Sequence, residues 1–271
     1  MEYAILIFTG AFGGLIAGML GLGGGIFYIL VLPSIMLWFG IPAEYATPFV
    51  VANSLAGIAF ASGISIVSQF ALLKKYIRES LLVGIPSLII SIFATQFIVH
   101  SRWFSKEVFG VLVVIIMLFL LFQMLFKEHK TVPEKDLNNK IVAKSGIAIG
   151  SFAGFISALS GLGGGVIINP VLHLRLHQSL QKARVISLAT IFISTTFISL
   201  QNGFSSPLYQ PEGITNIGFI IPVIAAPLIV GAIIGGPIGV RLSRQLSERT
   251  LKRLFSVVVF IVLVEKTLSL F

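Results

Sequence analysis

Apolar residues fall in long blocks along this chain, and the polar residues are gathered between them. Leu81 to Val99, Val108 to Phe126, Val185 to Leu200, Ile214 to Val240 and Leu254 to Phe271 approach or exceed the roughly 20 residues that a helix needs to cross a bilayer. These blocks predict an all-α polytopic membrane protein with no soluble domain. Met1 to Ala17 has the length of a signal peptide but lacks a basic leading region and matches a segment further on. It is therefore expected to be mature structure.

Two of the apolar stretches are interrupted by the same string, Gly21-Leu22-Gly23-Gly24-Gly25 and Gly161-Leu162-Gly163-Gly164-Gly165. Glycine costs about 1 kcal/mol relative to alanine inside a helix, so each string predicts a break where one helix stops and another starts. Inside a bilayer such a break is tolerated only where protein buries it or a cavity receives it. The likeness extends outward. Phe12 to Leu20 parallels Phe152 to Ser160, Pro33 pairs with Pro170, and an offset of 137 then pairs Ala46 with Ala183 and Asn53 with Thr190. The chain thus divides into a first membrane repeat, 1–130, a linker, 131–140, and a second repeat, 141–271.

Composition agrees with the membrane setting: 56% of residues are hydrophobic and 11% charged, against roughly 25% charged in soluble domains. The charges also carry topology. If each glycine string marks a re-entrant hairpin that leaves on the side it came from, 16 of the 19 Lys and Arg residues share one side, leaving Arg102, Lys106 and Lys266 on the other. Full crossings at the strings would remove this bias, and basic loops favour the cytoplasm. Each repeat is then a Gly-broken re-entrant hairpin plus three transmembrane helices, and the two repeats have inverted topology. The expected location is the cytoplasmic membrane, with both termini outside. Tyr3, Trp38, Tyr45, Trp103 and Tyr209 fall at the outer boundaries, where aromatic rings favour the headgroup layer. The leg Val166 to Leu174 is too short to cross, while Ile26 to Phe39 fits either reading.

Inverted repeats with broken helices predict a secondary transporter whose substrate sits near the midplane. At each break the first N–H groups of a new helix lack partners and carry partial positive charge, and glycine keeps no side chain between them and an anion. The candidate substrate-binding residues are Gly21, Gly23, Gly24, Gly25, Asn53, Ser54, Ser160, Gly161, Gly163, Gly164, Gly165, Thr190 and Ser194. All are small or neutral. A bland reading stands beside each: Ser and Thr often bond to the preceding helical turn, and Gly10, Gly14 and Gly18, Gly146, Gly150 and Gly154, and Gly231, Gly235 and Gly239 read as packing stripes. His173 and His177 read as a solvated loop rather than a metal site. The net charge of +9 fits topology and anionic lipid, with no nucleic acid required. The glycines fit neither a dinucleotide fingerprint nor a phosphate loop. No Cys, HExxH or paired intramembrane carboxylates suggest an enzyme or a cofactor.

The paired GLGGG strings, each after a Gly-rich apolar helix and before a proline in the next leg, resemble the sulfite exporter TauE/SafE family of permeases. The resemblance covers essentially the whole chain. It implies transport of a small sulfur-containing anion such as sulfite, an organosulfonate, sulfoacetate or thiosulfate, with the glycine strings in the substrate site. The chain departs from the family pattern at Ala46-Thr47-Pro48 and Ala183-Arg184, where a Thr-Ser pair is frequent; Arg184 offers a cytoplasmic anion contact instead. The expected partners are the anion, membrane lipids and, left open, further copies of the chain. The alternatives are an anion-selective channel with the same Gly-lined filter and a membrane anchor, against which the polar residues at helix centres count.

Overall fold

A computed structural model describes residues 2–99, 106–126, 140–211 and 213–268. The linker at 131–139, Arg102 and Trp103 lie outside them. Among the described residues ten α-helices follow in order: α1 (Glu2–Leu20), α2 (Gly25–Trp38), α3 (Ala43–Val67), α4 (Phe70–Ala94), α5 (Lys106–Phe126), α6 (Ala143–Ser160), α7 (Gly165–Pro170), α8 (Leu180–Phe204), α9 (Pro222–Gln245) and α10 (Glu248–Leu268). Short π-helical turns extend α4 (Thr95–Val99) and α7 (Val171–Arg175). Six helices among the described residues are long and apolar enough to cross a membrane, namely α1, α3, α4, α6, α8 and α9. The chain is a multi-pass, all-helical membrane protein.

Glycine decides which helices touch. A Cβ on Gly10, Gly14 or Gly18 of α1 would come within 2.0, 2.5 and 2.2 Å of the carbonyl oxygens of Leu228, Ala232 and Gly236 on α9. Gly231, Gly235 and Gly239 meet the α1 carbonyls of Ile7, Ala11 and Leu15 in the same way. Without side chains between them the two backbones pack directly, and van der Waals contact replaces the hydrophobic drive that lipid cannot supply. In the other half, Gly150 and Gly154 of α6 sit against the carbonyls of Val83 and Ser87 on α4. The stripes read as packing from sequence do pack, but each joins the first helix of one half to the fourth helix of the other.

These contacts also set direction. Residue numbers rise together along α1 and α9 and along α6 and α4, so each pair is parallel. Tyr45 at the start of α3 stacks on Tyr209 beyond the end of α8, with ring centroids 4.8 Å apart. Lys182 at the start of α8 reaches Glu79 in α4 at 3.7 Å and lies over the Tyr76 ring. Because α4 follows α3 after a two-residue turn, α3 and α8 run in opposite directions. Their tryptophan-free, buried faces meet at the centre of the molecule, while α5 packs on α10.

The hairpins are lopsided. The helices α1 and α6, with 19 and 18 residues, reach about 27–28 Å at 1.5 Å per residue, nearly the thickness of a bilayer core. The returning legs are shorter: 14 residues in α2, and six α-helical plus five π-helical residues in the second half. Prolines 33 and 170 lie in these legs.

Candidate functional site

Both glycine strings are buried and meet at the centre. In the first, Gly21, Gly23 and Gly24 have φ of 70, 84 and 76°; in the second, Gly161, Gly163 and Gly164 have 64, 87 and 64°. This is left-handed backbone that other residues adopt only at a cost. It ends α1 and α6 and starts α2 and α7 within four residues. Space is as restrictive as torsion: a Cβ on Gly25 would stand 2.8 Å from the Gly161 oxygen, and one on Gly165 2.7 Å from the Gly21 oxygen. The two backbones therefore cross in contact.

Reciprocal side chains hold the crossing. Ser54 Oγ on α3 donates to the Gly161 carbonyl at 2.8 Å, and Ser187 Oγ on α8 donates to the Gly21 carbonyl at 2.6 Å. Ile58 packs over Gly25 and Ile191 over Gly165, and both isoleucines touch Gly23 and Gly163. Two serines and two isoleucines, all fully buried, thus enclose the strings symmetrically.

This symmetry corrects the register expected from sequence. An offset of 137 relates the first residues of α3 and α8, yet at the crossing Ser54 answers to Ser187 and Ile58 to Ile191, an offset of 133. After the shorter second return leg the crossing falls about one helical turn nearer the start of α8 than it does in α3, since four residues make about one turn. Asn53 and Thr190 are therefore not counterparts at the site, and Arg184 takes the place of Val51 rather than of Thr47: Val51 lies against Gly161 as Arg184 lies against Gly21. Ser187 escaped the sequence reading for this reason. The signal that could have found it is the shared Ser-Leu pair, Ser54-Leu55 and Ser187-Leu188.

The remaining candidates sit around the crossing in different roles. Asn53 is buried, but its Nδ2 donates to the carbonyls of Phe49 (2.8 Å) and Phe219 (3.1 Å), and its Oδ1 accepts from Ile221 N–H (3.0 Å). The amide thereby anchors the extended segment that leads into α9. Ser160 donates back to Ile156 O at 2.7 Å and accepts from Leu162 N–H at 3.3 Å, bracing the second string. Ser194 bonds within α8 to the Thr190 and Ile191 carbonyls. Thr190 Oγ1 is buried without a hydrogen-bond partner and faces Gly84 of α4.

One end of the site is elaborated further. The last carbonyls of α1 are taken by the second half: Met19 O by Arg184 Nη1 at 3.2 Å, Leu20 O by Asn169 Nδ2, and Gly21 O by Ser187. Among the described residues no group of three or more His, Cys, Asp or Glu could hold a metal. His173 Nδ1 lies 2.9 Å from the Gln178 carbonyl, a contact within its own loop.

Against known proteins, the model of the family described as Sulfite exporter TauE/SafE matches residues 6–265. A relative in Methanocaldococcus jannaschii, named a "Probable membrane transporter protein", is 27% identical over 255 residues, covering 93% of this chain and 90% of its own. The "Probable membrane transporter protein YunE" of Bacillus subtilis is 25% identical over 280 residues, 97% and 96% of the two chains. A Haemophilus influenzae protein of the same description is 22% identical over 98% of both chains. No solved structure matches.

Proposed function

Because the chain belongs to the sulfite exporter TauE/SafE family of membrane transporters, we propose that it is a secondary transporter of a small sulfur-containing anion, working by alternating access between two inverted repeats. The observation that carries this reading is the crossing of the glycine strings. Two helix starts lie side by side in the core, bare of side chains, and the hydroxyls of Ser54 and Ser187 tie each string to the opposite half. Backbone N–H groups at such starts favour anions, and neutral donors release what they bind more readily than a buried charge pair.

The antiparallel course of α3 and α8 supports inversion, as does the gathering of Lys and Arg on one side. The exchange of fourth helices supports rocking: α1, α3 and α9 pack together, as do α6, α4 and α8, and each bundle carries one string. Movement of one bundle against the other would part the strings at Ile58 and Ile191. The basic face is cytoplasmic on this reading, and both termini lie outside.

The test is sulfite flux in proteoliposomes. A transporter gives saturable uptake that accelerates when sulfite is loaded on the opposite side. Flux that rises linearly with concentration and shows no exchange acceleration would identify a channel and overturn the proposal.

A further inference from the structure

Arg184 is 4% exposed in a membrane-spanning helix, where charge is costly and marks function unless it is paired. Two residues earlier Lys182 has such a pairing, with Glu79 and the Tyr76 ring. Arg184 has none of that kind among the described residues. One N–H goes to Met19 O and Nε is enclosed without an acceptor. Arg244, exposed near the end of α9, stands one helical turn beyond Val240, whose backbone lies against Gly18 beside the end of α1, so a second cation adjoins this end of the site.

A cap on α1 is the plain explanation, since a cation favours the negative end of a helix. It accounts for one of five guanidinium donors and leaves the second arginine unexplained. Nor does the other half need such a cap, for Val51 stands at the corresponding place beside Gly161. The pair of cations, with Asn169 on the Leu20 carbonyl, sets this end of the crossing apart from the other.

We propose that Arg184 and Arg244 form a docking site for a small oxyanion at the end of α1, from which the anion passes to the glycine crossing. The proposal rests on the reading of the protein as an anion transporter. A guanidinium presents parallel N–H groups that match two oxygens of a sulfite or sulfonate group, a geometry that the point charge of lysine does not reproduce. The anion supplies the negative charge that Arg184 lacks, and Arg244 draws it in from solution. Since Val51 occupies the matching place, anions meet a charged approach on one side of the crossing and a neutral one on the other.

Sulfite transport by the intact protein in proteoliposomes tests this, with KM and melting temperature measured for Arg184→Gln, Arg184→Lys and Arg244→Gln. Arg184→Gln is expected to raise KM about tenfold, the equivalent of about 1.4 kcal/mol, and Arg184→Lys to restore only part of the loss. Arg244→Gln should raise KM about threefold at low salt, with the difference shrinking as salt screens it. A lowered melting temperature with unchanged KM in Arg184→Gln makes Arg184 a helix cap only and overturns the proposal. If that variant does not fold, Arg244→Gln decides alone, because the residue is exposed: an unchanged KM at every salt concentration overturns it. Absence of saturable sulfite flux in the unmodified protein removes the transporter reading and this site with it, whereas flux that is saturable but insensitive to both arginines removes this site alone.

Discussion

Single hydroxyls and single hydrogens carry the centre of this protein. Ser54 and Ser187 satisfy carbonyls at the ends of α6 and α1 that no continuing helix can reach, and an unpaired buried acceptor costs about 1–3 kcal/mol. Ser54→Ala and Ser187→Ala are each expected to lower stability by about that amount, read as shifts of the denaturation midpoint in detergent. Asn53→Leu should act through the fold as well, since its amide spends both donors and its acceptor on backbone at 49, 219 and 221. A lower melting temperature with KM for sulfite unchanged within about twofold is the expected outcome; a tenfold weaker KM at full stability would return Asn53 to the substrate site. The breaks at the glycines were legible in sequence because the strings repeat without a gap, and Ser54 stood out only as a small hydroxyl well inside its helix. Ser187 did not, because a difference of one turn in the return legs moves its partner out of register.

At the level of helices, backbone distance rather than side-chain volume sets the packing. Gly235 leaves 1.9 Å between a would-be Cβ and the Ala11 oxygen, and α1 cannot yield there because Gly10, Gly14 and Gly18 are seated on α9 as well. Gly235→Ala is therefore expected to lower yield and melting temperature sharply. Gly203→Ala, whose Cβ would meet nothing nearer than 3.9 Å, should be neutral in the same assay. Within the strings, Gly24→Ala should be worse than Gly164→Ala: both need left-handed backbone, but the first Cβ falls 2.1 Å from Gly13 O and the second 2.8 Å from Ala153 O. Equal loss of transport and stability in the two would mean that torsion alone, and not the helix behind it, constrains these glycines. Small-residue spacing announced close contacts, but not their partners, because a stripe of glycine fits any backbone presented to it at the right angle.

For the molecule as a whole, topology is the property most open to test, and the chain has no native cysteine to confuse labelling. A cysteine placed at Ser205, on the face of Tyr45 and Tyr209, should react with an impermeant reagent added outside intact cells. One placed at Lys75, on the face of Lys182 and Glu79, should be protected; the reverse pattern would invert the molecule. By itself the amino-acid order determined the membrane setting and the two breaks, and it raised the expectation of a duplication and of charge gathered on one side, because hydropathy, glycine torsion and loop charge are properties of short stretches. Only the tertiary structure decided that α4 and α9 change places between the halves, that Ser187 rather than Thr190 answers to the first half, and that Arg184 is buried with no acid paired to it among the described residues. Those facts depend on which surfaces meet across more than a hundred residues of chain, and helix packing in lipid is settled by shape that no local pattern encodes.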